Sequence, residues 1–314
     1  MQAAALTVFG SMLSSALPSA KLIGPDTGYR EWQAWLEALL PLARPGLLHA
    51  VTHHVYLGME RRNFNDPDLL DSSLPEIEWY ASTVAALQPA AQIFAGENGP
   101  IGGGNDGTCG KDSVCGTFAS TIYYADDMAL RAKHGFAQYN RQDLFGGGYG
   151  LVNSPSGAMA LTRTDALHIT PDLWTSFLWK RTLGLSVLNA TSSSRLVRAY
   201  AFRGAPPSPF ASGLCGALEL LLINLDNSTA ATPVVLPPAA AGATFAAWSL
   251  APGAGGAVAS EAMLNGAPLP AAIDVSVRDP RDFLQHIVQP PVVGLVSAGL
   301  ALPPLSTNFV CYSA

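Results

Sequence analysis

Charge is scarce in this chain. Only 13% of its 314 residues are charged, and 23 acidic residues face 17 basic ones, for a net charge of −6. No basic run with interleaved aromatics occurs, so a nucleic-acid partner is not expected. Cysteine is sparse too, at Cys109, Cys115, Cys215 and Cys311, and no pair has the CxxC spacing of a zinc knuckle or a thioredoxin-type site. No apolar run reaches the roughly 18 uninterrupted residues that a membrane-spanning helix needs. GxGxxG after a strand, the lysine of a phosphate loop and a His/Asp metal cluster are all missing, so neither cofactor nor metal is expected. Hydrophobic residues at 49% argue instead for a folded chain with a sizeable core.

Residues 2–20, QAAALTVFGSMLSSALPSA, end like a signal peptide but lack the basic start, and Lys21 follows the apolar part. They are read as an amphipathic helix leading to a strand at Lys21–Gly24. Helices at Tyr29–Leu42, Ile77–Leu87, Thr117–His134 and Asp172–Leu183 then alternate with strands at His49–Tyr56, Gln92–Gly96 and Phe136–Gln142. Such alternation predicts a parallel α/β sheet or (β/α) barrel over residues 1–184. Beyond Leu185 the chain reads as short strands at Arg195–Phe202, Ala217–Leu225, Thr232–Leu236, Thr244–Leu250, Ile273–Val277 and Asn308–Tyr312, which predict an antiparallel β-sandwich over 185–314.

Polar groups gather at the predicted strand ends: Asp26, His53, His54, Tyr56, Glu97, Arg141, Gln142 and Tyr149. Glu97 sits in AGENGPIGGGND, at the end of a strand where α/β folds place their chemistry. A solvated loop acid would look the same locally. A side-chain period of two puts His54 and Tyr56 on one face, from which they can supply hydrogen bonds to a carboxylate nucleophile. His53 reads equally as a packed strand histidine, and Arg141 as a residue that positions a loop. Cys109 and Cys115 flank a short polar loop, and Cys215 and Cys311 border apolar runs. Either pair can close a disulfide, or all four can be buried thiols. Asn189 and Asn227 stand in glycosylation sequons.

The order GPD…THHVYLG…GENGPIGGG…RQDLFGGGYGLVN…PDLWTSFLWKRTLG, with ELLLINL and WSLAP…MLNGAPL after it, resembles the heparanase-like enzymes, glycoside hydrolase family 79. The resemblance implies barrel strands five to eight followed by a C-terminal β-sandwich. It implies a retaining glycosidase of the β-glucuronidase type, with Glu97 as nucleophile and His54 and Tyr56 beside it. Gly102, Gly103, Gly147 and Tyr149 match positions that bind the carboxylate of glucuronic acid, a role suited to glycines because backbone N–H groups approach an anion closely. It implies a Cys215–Cys311 disulfide, a glucuronic-acid-containing glycan as partner, and an extracellular, lysosomal, vacuolar or membrane-associated location.

One part of the family pattern is absent. A retaining glycosidase uses two carboxylates about 5–5.5 Å apart, and the family's acid/base glutamate lies in an Asn-Glu-Pro motif that this sequence does not contain. Strands one to four of the barrel are not recognisable either. Glu60, Glu76 and Glu78 are not placed on strands that could replace the acid. The expectation is a C-terminal part of a longer product, or a half barrel completed by a second chain. A non-catalytic uronic-acid-binding protein is the alternative. Arg61 and Arg62 form the one basic pair near a predicted strand end. With Arg30 followed at once by Glu31, they suit a weakly charged glucuronide better than a densely sulfated one.

Overall fold

The computed structural model describes residues 2–28, 32–101, 109, 112–146, 148–153, 167–204, 215–216, 218–238, 242–273 and 290–312. In chain order these form α1 (Gln2–Ala16), α2 (Gln33–Leu39), β1 (Ala50–Tyr56), α3 (Pro67–Leu70), α4 (Leu74–Leu87) and β2 (Gln92–Gly99). Then come α5 (Phe118–Lys133), β3 (Gln138–Arg141), β4 (Phe145–Gly146), β5 (Val152–Asn153), β6 (Leu167–Ile169) and α6 (Pro171–Thr182). The remainder is all strand: β7 (Ser186–Leu188), β8 (Val197–Arg203), β9 (Glu219–Asn224), β10 (Thr232–Val234) and β11 (Thr244–Pro252). It closes with β12 (Ala262–Leu264), β13 (Ala267–Pro268), β14 (Ala272–Ile273), β15 (Val292–Leu295), β16 (Leu300–Leu302) and β17 (Ser306–Tyr312). No described helix is long and apolar enough to cross a membrane. The chain divides into two compact units. One comprises Met1–Leu57, Asp71–Gly99 and Leu130–Gln142; the other comprises Gly58–Leu70, Pro100–Ala129 and Asp143–Ala314.

The first unit is built on a parallel sheet of order β1-β2-β3. Near-continuous apolar runs such as Ile93-Phe94-Ala95 are what a parallel strand covered on both faces requires, and all three residues are buried. Helix α4 follows a 3.6-residue pattern, burying Ile77, Tyr80 and Val84 on one side. The strand expected at Lys21–Gly24 is present only as isolated parallel bridges to β1, Ile23 to Ala50 and Thr27 to His53. Pro25 has no N–H for a ladder, and Asp26 lies at φ 54, so the extended run breaks between the two bridges. Helix α1 forms, but Val8, Phe9 and Met12 are 57–65% exposed rather than turned inward. Its buried point is Gly10, which lies against Leu47 with no room for a Cβ.

In the second unit the major sheet runs β13-β12-β11-β17-β9-β8-β7, every pair antiparallel, with β15 added beside β11. Strands β9 and β17 are buried along their whole length. Leu220, Leu222, Phe245, Ala247, Val310 and Tyr312 belong to one apolar cluster on this sheet. Both cysteine pairs in the second unit are bonded, Cys109 to Cys115 and Cys215 to Cys311. The second ties β17 to a residue 96 positions earlier. A buried Asp126 accepts hydrogen bonds from Arg198 at 2.5 Å and from Tyr200 at 2.6 Å. Burial still pushes its carboxyl above the usual carboxylate range. Of the strand expected at Ile273–Val277, only Ile273 lies within the described residues, as the end of β14.

Candidate active site

The site lies in the first unit, where β1 and β2 run side by side. Up to His53 the register is regular, with Val51 opposite Ile93 and His53 opposite Ala95; from His54 onward it shifts, with His54 opposite Glu97 and Tyr56 opposite Gly99. Strand β3 records the same extra residue, since Ala95 pairs with Tyr139 while Asn98 pairs with Arg141. Gly96 is therefore a bulge in β2 seen from both neighbours, where a glycine in a strand is commonly found. Beside the bulge, the Asn140 side chain donates to the carbonyl of Ala95 at 3.0 Å.

This extra residue decides which way Glu97 points. In an unbroken strand Ala95 and Glu97 share a face, the one on which His53, the partner of Ala95, also lies. With Gly96 inserted, Glu97 moves to the face of His54 and Tyr56. The Tyr56 hydroxyl donates to Glu97 Oε1, and His54 Nδ1 lies 3.5 Å from Glu97 Oε2. Beyond it, His54 Nε2 is 2.8 Å from Asp26 Oδ2. Glu97 keeps 32% side-chain exposure, so its carboxylate is held but still reachable. Gly99 leaves room for the Tyr56 ring, because a Cβ there would sit 2.7 Å from Tyr56 Cε1. A carboxylate oriented by a hydrogen bond to one oxygen and still partly exposed is suited to nucleophilic attack.

On the opposite face, His53 is fully buried. Its ring stacks on Tyr80 with centroids 3.8 Å apart, and its Nε2 accepts a hydrogen bond from Arg131 Nη1 at 2.9 Å. Burial, then the Arg131 charge and His54, lowers its pKa well below the usual histidine value. The Tyr80 hydroxyl meets Thr27 Oγ1 at 2.5 Å, and burial pushes it up to about 12. His53 therefore belongs to the packing behind the sheet. The two adjacent histidines divide the work by strand alternation alone.

Of the residues singled out in the sequence, the structure brings together Glu97, His54 and Tyr56. Asp26 joins them. Its partner His54 is 28 positions away, and the sequence signal was only its place after Gly24-Pro25. Gly102, Gly103 and Gly147 lie outside the described residues. Tyr149, Arg61 and Arg62 are in the second unit. There Tyr149 is buried, Arg61 Nε donates to the carbonyl of Ser113 at 3.0 Å, and Arg62 pairs with Glu60 at 2.6 Å. Asn189 and Asn227 are exposed. Among the described residues no group of three or more His, Cys, Asp or Glu side chains could hold a metal ion.

The fold has counterparts among solved structures. The family 51 α-L-arabinofuranosidase AbfB from Bifidobacterium longum superimposes with a TM-score of 0.61 over 99% of this chain and 62% of that one. At 13% identity that likeness speaks for the fold alone, and structural neighbours of this kind are glycoside hydrolases of TIM-barrel type. No protein-family model matches the chain. Heparanase-like protein 2 of Arabidopsis thaliana is 32% identical over 225 residues, 68% of this chain and 36% of that protein. Heparanase of Bos taurus is 29% identical over 183 residues, 56% of this chain and 31% of that protein. The chain belongs with the heparanase and heparanase-like proteins of glycoside hydrolase family 79. The match spans about a third of the length of these relatives.

Proposed function

We propose that this chain carries the nucleophile of a retaining glycoside hydrolase that cleaves a β-linked glucuronide. The observation that carries the reading is the placement of Glu97 by the Gly96 bulge, with Oε1 hydrogen-bonded by Tyr56, Oε2 3.5 Å from His54 Nδ1 and the side chain 32% exposed. Glu97 would attack the anomeric carbon, forming a glycosyl ester as the bond to the leaving oxygen breaks. The leaving oxygen takes its proton from a general acid, and water then releases the sugar and regenerates the carboxylate. In this reading residues 1–184 supply strands five to eight of a (β/α)8 barrel and residues 185–314 a β-sandwich domain. The sequence contains no Asn-Glu-Pro, so the general acid is outside the site described here.

Gly102, Gly103, Gly147 and Tyr149 are proposed to read the uronic-acid carboxylate, chiefly through backbone N–H groups. Arg61 and Arg62 would at most accommodate a further anionic group, which suits a sparsely charged glycan. An extracellular or vacuolar location and glycosylation at Asn189 and Asn227 accord with this reading. Incubation with 2-deoxy-2-fluoroglucuronyl fluoride tests it, because fluoride departs without needing a proton. The expected result is a glycosyl label on Glu97, lost in Glu97→Gln. A label on another residue, or reversible uronic-acid binding with no label at all, would replace the enzyme reading by that of a binding protein.

A further inference from the structure

Asp26 has a cost and a companion, and both point to a role. Among the described residues it is one of three non-glycine residues at positive φ, at 54°. That region is sparsely populated, though aspartate visits it more readily than most residues. Its carboxylate fills the space where Gly96 has no side chain. A Cβ at position 96 would overlap Asp26 Oδ1 and stand 3.2 Å from its Cγ. The residue that bulges β2 thus also makes room for Asp26. With that room, Oδ2 reaches His54 Nε2 at 2.8 Å.

We propose that Asp26 is a positioning residue that fixes the ring orientation and tautomer of His54, and through it keeps Glu97 Oε2 free to react. The inference rests on Glu97 being the nucleophile. An ionised carboxylate can only accept, so the 2.8 Å contact requires the hydrogen on Nε2. In the neutral ring Nδ1 then carries a lone pair and no hydrogen. The separation of 3.5 Å from Glu97 Oε2 accords with this, lying beyond the usual length of an N–H···O bond. Tyr56 is then the donor that orients Glu97, through Oε1. The opposite tautomer would donate from Nδ1 toward Oε2 and tie up one of its two lone pairs, lowering its nucleophilicity. Asp26 belongs to the site by acting on His54, without touching Glu97.

The test uses the whole chain with ring-¹⁵N-labelled histidine, His54 being assigned by its loss in His54→Gln. The native protein should show a hydrogen-bearing Nε2 and a bare Nδ1. Asp26→Ala should average the two nitrogens and slow labelling by the fluoroglucuronyl fluoride about 10- to 100-fold, the scale for removing an outer partner from a metal-bound histidine. Asp26→Asn, which keeps an acceptor oxygen and tolerates the same backbone, should recover part of both signals with melting unchanged, while Asp26→Ala should melt slightly earlier because alanine adopts φ 54 less readily. Native nitrogen shifts and a native labelling rate in Asp26→Ala would overturn the inference. Should the native chain take no label on Glu97, the glycosidase reading fails, and the ring shifts still decide whether Asp26 holds His54.

Discussion

The Tyr56 hydroxyl donates to Glu97 across two neighbouring parallel strands whose register has slipped by one residue between them. Tyr56→Phe removes that donor while keeping the ring that packs over Gly99. A hydrogen bond to a charged group contributes about 1.5–3 kcal/mol, so labelling of Glu97 should slow by roughly 10- to 100-fold. The melting temperature should stay within a few degrees of native. An unchanged labelling rate would remove Tyr56 from the site.

Gly96→Ala places a methyl group on the Asp26 carboxylate and 3.2 Å from Thr52 Cβ. Crowding of this kind commonly costs about 1–3 kcal/mol, visible as an earlier urea midpoint. The same variant should release Asp26 from His54, so its histidine ¹⁵N spectrum should resemble that of Asp26→Ala. A native spectrum would mean that the strand absorbs the methyl group without moving Asp26.

His53 makes stability depend on pH. Its folded pKa lies well below the ordinary 6.5 because the ring is buried and faces Arg131. Below that ordinary value the unfolded chain binds a proton that the folded chain refuses. His53 therefore contributes stability that is fully present above about pH 6.5 and is lost as pH falls below it, by at most ~1.4 kcal/mol per pH unit. Partial burial also lowers His134, which adds to the same slope. Urea unfolding at pH 7 and pH 5.5 should show a smaller loss in His53→Asn than in the native protein. Equal losses would contradict the buried, neutral assignment.

Cys215→Ser opens the bond to Cys311, which closes a loop of 96 positions. In the chain-entropy model such a loop contributes up to about 4–5 kcal/mol, and commonly less in practice. The expected outcome is a lower urea midpoint and a larger unfolding slope. A midpoint equal to that of the native protein would place the stability of β17 in its packing alone.

The parallel strands were legible because their apolar runs are long and bounded by turn formers. His54 and Tyr56 were legible as a pair because strand alternation needs only one strand. The Gly96 bulge was not, since register is a property of two chains of hydrogen bonds and a single sequence displays one. Asp26 was seen as a polar strand end, but its purpose depends on His54 and Gly96, neither of them a sequence neighbour. His53 stayed open for a related reason. A histidine at a strand position looks the same whether it meets substrate or Tyr80. The exposed side of α1 could not be foreseen from its composition, because the residue that seats the helix is Gly10, which carries no apolar signal.

The bulge has a consequence for how this site can be lost or moved. Substitutions along β2 can weaken Glu97, but the face on which it emerges is set by a count of residues. Deleting Gly96 would remove no charged group and no hydrogen-bonding side chain. It would nonetheless carry Glu97 through the plane of the sheet toward the buried ring of His53. An insertion between Ala95 and Glu97 would do the same from the other direction, whereas one placed before Gln92 could be absorbed in the preceding turn. In this stretch, chain length is as much a determinant of chemistry as residue identity, and a single codon's gain or loss is enough to exchange a reactive surface for a packed one.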